Sequence, residues 1–249
     1  TLWLLGFRRP AADLKAAALA SLALASISLG ASTLHLGRPV HAWKALRGLR
    51  RSWLSREVLT LSLFAGAAHA FAGMMFFDLP GRGAAGFATA LAGLAGVTCS
   101  ARIYIVRARP AWFTGYTAAE FFATALLLGP AFVRVLTDHV PPAVLLASVL
   151  GGAAQLIVQT GKFFWLSRSE TFELRSSSLL LAGRLRTLFG ARLAILAIAG
   201  ILLPLTGYLT AAVFLAALLG EMLGRYLFFV SVVPKNIGAA FTSGTRRAA

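Results

Sequence analysis

Apolar residues run along this chain in blocks of about twenty, each broken by a short cluster of charges and turn residues. A bilayer-spanning helix needs about 20 mostly apolar residues. Seven stretches meet that length: 14–36, 57–79, 84–106, 113–136, 142–166, 187–208 and 209–233. The breaks carry turn chemistry, namely Gly37-Arg-Pro39, Leu79-Pro-Gly81, Arg109-Pro110, Pro141-Pro142 and the polar stretch from Ser167 to Thr187. At the start, Thr1-Leu-Trp-Leu-Leu5 precedes Arg8-Arg9-Pro10. An apolar piece ahead of its arginines reads as the tail of a further, first helix and not as a signal peptide. The pattern predicts an all-α polytopic transmembrane bundle, one membrane domain over 1–249, with seven full spans and the tail of an eighth helix. Basic loops are expected at 37–56 and 167–186. Gly220-xxx-Gly224 is a candidate for close helix contact.

Composition closes off the alternatives. Of 249 residues, 58% are hydrophobic and 13% charged, and mean hydropathy is +0.78. A soluble domain of this size cannot hide so much apolar surface, and disordered chains are apolar-poor. The formal net charge is +16, which in a soluble protein suggests nucleic acid. Alternating spans distribute it otherwise. One side, A, receives nineteen of the 24 Lys and Arg residues and all five glutamates, while side B receives five basic residues and the three aspartates. By the positive-inside bias, side A is cytoplasmic. The excess then marks an orientation, contact with anionic lipid headgroups or a docking surface for a soluble partner, and no nucleic-acid partner is implied. The single cysteine, Cys99, excludes an internal disulfide and an iron–sulfur cluster held by this chain, which takes about four thiolates.

Ionisable groups inside a membrane are costly, so each requires a reason. His35 lies at the end of its span, just before Gly37-Arg-Pro39, and Glu57 heads the next span; both fall at about the same depth near side A. An imidazole and a carboxylate at an apolar boundary can accept and relay protons, which a quinone requires because its two-electron reaction moves two protons. The alternative is structural: His35 caps a helix end and Glu57 pairs with Arg56. Between them, Ala42, Ala45, Leu46 and Leu49 recur at helical spacing among basic residues, as in a short interfacial helix. Trp43 and Trp53 fit a headgroup-level aromatic belt.

Glu120, Gln155 and Gln159 lie in the side-A halves of their spans, placed for a ligand headgroup or for interhelical hydrogen bonds. Glu221 and Arg225, four apart, can neutralise each other. A haem held by two of the four histidines is disfavoured, because His69 lies roughly 18 Å deeper than the level of His35. Gly81-Arg-Gly83-Ala-Ala-Gly86 matches a dinucleotide fingerprint but joins two apolar spans with no strand before it, so it is a turn. No metal-ligand cluster is evident.

The stretch His35-Leu-Gly-Arg-Pro39, continuing to Ala42-Trp43 and closing at Ser52-Trp-Leu-Ser-Arg-Glu57, resembles the membrane anchor subunits of dimethyl sulfoxide reductases, the DmsC family. Ala101-Arg-Ile-Tyr104, Pro110, Trp112, Phe121-Phe122, Gly129-Pro130 and Gly220-Glu-xx-Gly-Arg225 follow in the family order. The first motif is similar to that of the sulfite dehydrogenase membrane subunits within the family.

The resemblance implies eight helices and a non-catalytic membrane subunit of a quinone-linked oxidoreductase complex in the bacterial inner membrane. It implies an iron–sulfur electron-transfer subunit and a molybdopterin catalytic subunit docked on the cytoplasmic side, with those centres on the partner chains and no metal on this one. Menaquinone or ubiquinone would react at His35 and Glu57, with Arg38, Trp53, Arg56 and Glu120 around it. Lys44, Arg47, Arg50, Arg51, Arg107 and Arg109 would meet the partner. Two other classes stay open on the residues alone. A transporter would favour an inverted repeat, and none is visible; a haem-bearing cytochrome subunit would show an absorption spectrum.

Overall fold

The structure, a computed structural model, describes residues 11–34, 44, 46–137 and 141–235. The helices are α1 (Ala11–Leu34), α2 (Trp53–Phe76), α3 (Arg82–Tyr104), α4 (Gly115–Leu136), α5 (Pro142–Ser167), α6 (Phe172–Ala182), α7 (Arg186–Ala197), α8 (Leu203–Thr206) and α9 (Thr210–Val230). A π-helical turn, Ile198–Leu202, joins α7 to α8. Six of the resulting rods are long and apolar enough to cross a membrane: α2, α3, α4, α5, the joined Arg186–Thr206 and α9. The apolar stretch of α1, Lys15–Ala31, is shorter. Among the described residues there are thus six full spans and one shorter apolar helix, where the pattern predicts seven full spans. The expected eighth-helix tail, residues 1–10, lies outside the described residues.

Two boundaries differ from expectation. α2 begins at Trp53, capped by Ser52, whose side chain accepts from Ser55 N at 3.3 Å. Glu57 therefore stands a full turn inside the helix and does not head it. The segment 167–186, read as a loop, contains α6. Its Leu174, Ser177, Ser178 and Leu181 are buried at i, i+3, i+4, i+7 spacing, one face of the helix. Leu174 and Leu181 join Ala111, Leu166, Leu227 and Val232 in one apolar cluster. Ser177 Oγ accepts from Val233 N at 3.2 Å, so α6 lies across the ends of α5 and α9. In the basic segment, residues 46–48 form a short 3-10 turn; the remainder of the predicted interfacial helix, with Ala42, Trp43 and Ala45, lies outside the described residues.

Lipid tails are as apolar as leucine, so the helices are held by close packing and buried polar contacts. A Cβ on Gly151 would come within 2.4 Å of the Leu127 backbone, so α5 touches α4 directly there. Pro204 removes the hydrogen bond that the Gly200 carbonyl would accept four residues back, and the chain widens into the π-turn at that point. The Gly200 oxygen faces Gly152, where a Cβ would lie 2.3 Å from it.

The contacts agree with the two-sided sorting of the charges. On side B, Lys15 pairs with Asp78, Arg82 reaches the same carboxylate at 3.5 Å, and Arg134 donates to the Pro204 carbonyl at 3.0 Å. On side A, Trp112 Nε1 donates to the Phe228 carbonyl at 2.9 Å and Lys235 N to the Ala108 carbonyl at 3.0 Å. The Gly81-to-Gly86 match is a helix junction, with Gly81 at φ +86 just before α3.

Candidate functional site

Two groups of polar side chains lie toward the side-A ends of the helices. The first joins α2 to α3. Glu57 is half-buried, and its Oε1 accepts a hydrogen bond from Ser100 Oγ. Four residues after Ser100, one turn along the same helix face, stands Tyr104, whose phenol lies in the electrostatic field of both Glu57 and Arg225. Arg56 turns away from Glu57. Its Nε donates to the Leu49 carbonyl at 2.9 Å and its Nη2 to the Arg50 carbonyl at 3.0 Å, which fastens the basic segment to α2. Its guanidinium also lies 4.3 Å from the Trp53 ring centroid, with Arg102 5.2 Å from the same centroid. The Glu57–Arg56 ion pair that the sequence allowed does not form. Among the described residues, the side-chain partner of the Glu57 carboxylate is therefore a hydroxyl and not a cation.

The second group is fully buried among α4, α5, α7 and α9. Lys162 Nζ contacts Glu120 Oε1 at 2.8 Å and Arg192 Nη2 contacts Glu221 Oε1 at 2.7 Å. Gln155 Nε2 links the pairs, donating to Glu221 Oε2 at 2.9 Å and to the Glu120 carbonyl at 3.2 Å, while Thr124 Oγ1 donates to Glu221 Oε2 at 2.6 Å. The glutamine role as an interhelical linker is therefore realised at Gln155. Gln159, Glu120 and Lys162 line a small cavity of about 30 Å³, roomy enough and polar enough for a water molecule.

Glu221 and Arg225 do not form the expected pair. Arg192 takes Glu221, and the Arg225 guanidinium lies 3.7 Å from the Phe121 ring centroid. The reason is room: a Cβ on Gly224 would meet Arg192 Nε at 2.8 Å, so the two glycines of Gly220-xxx-Gly224 hold a slot for that guanidinium.

An aromatic cluster lies between the two groups. The Tyr104 ring contacts Trp112, Phe121, Phe228 and Phe229 at centroid distances of 5.4–5.7 Å, and Trp112 stacks on Phe228 at 4.9 Å. Tyr104, Trp112, Phe121 and the Gly220-to-Arg225 motif are far apart in sequence and meet at this one place.

Of the residues singled out from sequence, His35 and Arg38 lie outside the described residues, as do His41 and His139. Trp53, Arg56 and Glu57 come together at the first turns of α2. Glu120 does not join them; it belongs to the buried group, with Tyr104 and Arg225 between the two. Lys44, Arg47, Arg50, Arg51 and Arg107 are exposed, and Arg109 is half-buried against Trp112. His69 keeps to its own helix, with Nδ1 2.8 Å from the Ala65 carbonyl oxygen. Among the described residues no three His, Cys, Asp or Glu side chains converge as metal ligands do.

Sequence reasoning missed Ser100, Tyr104 and the true partners Lys162 and Arg192, which it counted as surface charge. The available signal was a basic residue within an apolar span, which requires a buried partner. Since each of the two takes a glutamate with it, the net charge of side A is unchanged.

A segment is 38% identical over 128 residues to a subunit of the sulfite dehydrogenase of Allochromatium vinosum, covering 46% of this chain and 38% of that protein. Another is 31% identical over 146 residues to anaerobic dimethyl sulfoxide reductase chain YnfH of Escherichia coli, covering 53% of this chain and 50% of that one. The chain thus spans half or less of the length of these relatives. No solved structure matches. The model of the DMSO reductase anchor subunit family matches residues 8–230, nearly the whole chain. Spans, motif order and convergent cluster agree with that match: the chain belongs to the DMSO reductase anchor subunit (DmsC) family.

Proposed function

We propose that this chain is the quinone-reactive membrane anchor of an oxidoreductase complex, of the sulfite dehydrogenase or dimethyl sulfoxide reductase type. It passes electrons between a membrane quinone and an iron–sulfur subunit docked on side A, beside a molybdopterin catalytic subunit. Side A is then the cytoplasmic face of a bacterial inner membrane. The observation that carries the reading is Glu57: a half-buried carboxylate at the side-A end of the bundle, held by the Ser100 hydroxyl and, among the described residues, by no basic side chain in a salt bridge.

The residues present fit a quinone headgroup. Glu57, with Oε1 bonded by Ser100, keeps its second oxygen as a proton acceptor at an apolar boundary. Trp53 and Arg56 flank them within the same helical turn. A bound quinone supplies a two-electron, two-proton couple. Glu57 holds or releases one of those protons, Ser100 fixes the carboxylate in place, and His35 serves the other proton. The exposed arginines of the basic segment lie within a few residues of Glu57, which brings the docked partner close to the site and keeps the electron path short. Lys44, Arg47, Arg50, Arg51 and Arg107 steer an acidic partner surface. Glu120, held by Lys162, acts at one remove as part of the buried framework. The redox centres reside on the partner chains, and this subunit takes no part in the chemistry of the terminal substrate.

The test is turnover of the assembled complex with quinone and with a soluble redox dye. In Glu57→Gln and His35→Ala variants, quinone-linked turnover falls by about two orders of magnitude, the lower range for loss of a proton-transfer group, while dye-linked turnover persists. Unimpaired quinone turnover in both variants would overturn the assignment.

A further inference from the structure

An apolar groove of about 470 Å³ runs among α1, α2, α3 and α4. On α2 it is lined by Leu61, Phe64, Ala68 and Phe71. These continue the helix face that Glu57 begins, four residues before Leu61. On α3 the lining runs from Gly86 to Val97, and Ser100 follows Val97 on the same face. The hydrogen-bonded pair Glu57–Ser100 therefore stands one helical turn beyond the groove on both of its main walls. At 1.5 Å per residue, the α3 wall is about 16 Å long, half the thickness of a ~30 Å hydrocarbon core. α1 packs on α2 and on α4, so one side of the groove lies behind a helix, while Leu94 and Ala125 leave its rim exposed.

Resting on the reading of Glu57 given above, we infer that this groove is the binding site for the polyisoprenoid tail of the quinone whose headgroup meets Glu57 and Ser100. Three observations select that occupant. The groove is long and apolar, lined by two hydroxyl groups, Ser21 and Thr89, of which Thr89 Oγ1 is already spent on the Ala85 carbonyl at 2.8 Å; no charged side chain lines it. Alanines and glycines such as Ala90, Ala125 and Gly129 leave the space, while the rings of Phe64, Phe71 and Phe132 form its sides. At its polar end stands a carboxylate with a hydroxyl, which suits a neutral hydrogen-bonding headgroup. Tail binding orients the headgroup: an apolar chain anchored in the groove presents its ring one turn higher, at Glu57.

The test uses the assembled complex in membranes, with Ala90→Leu and, separately, Gly129→Leu, each of which fills part of the groove away from Glu57. KM is measured for a quinol with a long isoprenoid tail and for the same headgroup without a tail. The ratio of the two KM values rises about tenfold, equivalent to about 1.4 kcal/mol. Dye-linked turnover retained on the washed membranes reports that each variant has assembled. An unchanged ratio in both assembled variants overturns the inference while leaving the Glu57 site in place. Loss of co-purifying phospholipid with an unchanged ratio overturns it too, in favour of an acyl chain as occupant. If the unmodified complex turns over with the dye but with no quinol of either kind, the quinone reading falls, and the inference with it.

Discussion

Glu221 shows how one residue is placed by others that carry no charge. Its partner Arg192, 1% exposed, reaches it only because Gly220 and Gly224 leave a slot for the guanidinium. Removing one member of a buried ion pair costs about 3–5 kcal/mol in soluble proteins, although interhelical contacts in membranes are often worth less, on the order of 1 kcal/mol. Even a methyl group in the slot should therefore be felt. Gly224→Ala should lower the thermal midpoint of the detergent-solubilised protein. Gly73→Ala, at a helical glycine with nothing within 4 Å of its Cβ position, should leave it unchanged or raise it by the better helix propensity of alanine. Equal shifts in the two variants would contradict the slot. Sequence spacing suggested the wrong partner here because it sees only neighbours on the same helix; Arg192 is 29 residues away. Glu57 was legible as a costly intramembrane acid, but Ser100, 43 residues on, was not. A serine in an apolar span usually bonds its own helix, as Ser62 does.

At the scale of elements, blocks of about twenty apolar residues located the spans, since bilayer thickness admits few other lengths. The same criterion hid α6. Its 11 residues are too short to span, and its buried face mixes two serines with two leucines. Only the spacing of Leu174, Ser177, Ser178 and Leu181 betrays it. The start of α2 was missed by four residues because Trp53 to Arg56 were read with the basic loop; the Ser52 cap begins the helix before them. If α6 is held by its leucines against α5 and α9, replacing Leu174 and Leu181 together with serine should release it. Limited trypsin digestion of membranes should then cut at Arg175 and Arg184, both exposed, faster than in the unmodified protein, with the remaining fragments unchanged. Equal cleavage rates would show that α6 is held by something other than these two contacts.

Across the whole molecule, the +16 charge resolves into an orientation. Residues assigned to one side by alternation of spans do meet: Lys15 with Asp78 at one end, Trp112 with Phe228 at the other. Alternation is legible because each span reverses the chain. What lies inside the bundle is not, because it depends on which helices become neighbours. The convergence of Tyr104, Trp112, Phe121 and Arg225 into one cluster beneath the basic face requires the folded bundle. The cluster and the Glu57–Ser100 pair lie at the side-A end, where a docked electron-transfer subunit would be within reach. The central claim is that electrons cross between quinone and that subunit through this end of the chain, with Glu57 handling a proton. The most direct measurement is the rate at which the iron–sulfur clusters of the assembled complex exchange electrons with added quinol or quinone, followed by low-temperature electron paramagnetic resonance after rapid freezing. Rapid exchange in the unmodified complex, slowed by about two orders of magnitude in Glu57→Gln while dithionite still reduces every cluster, is the predicted result. Exchange at the same rate in both would contradict it.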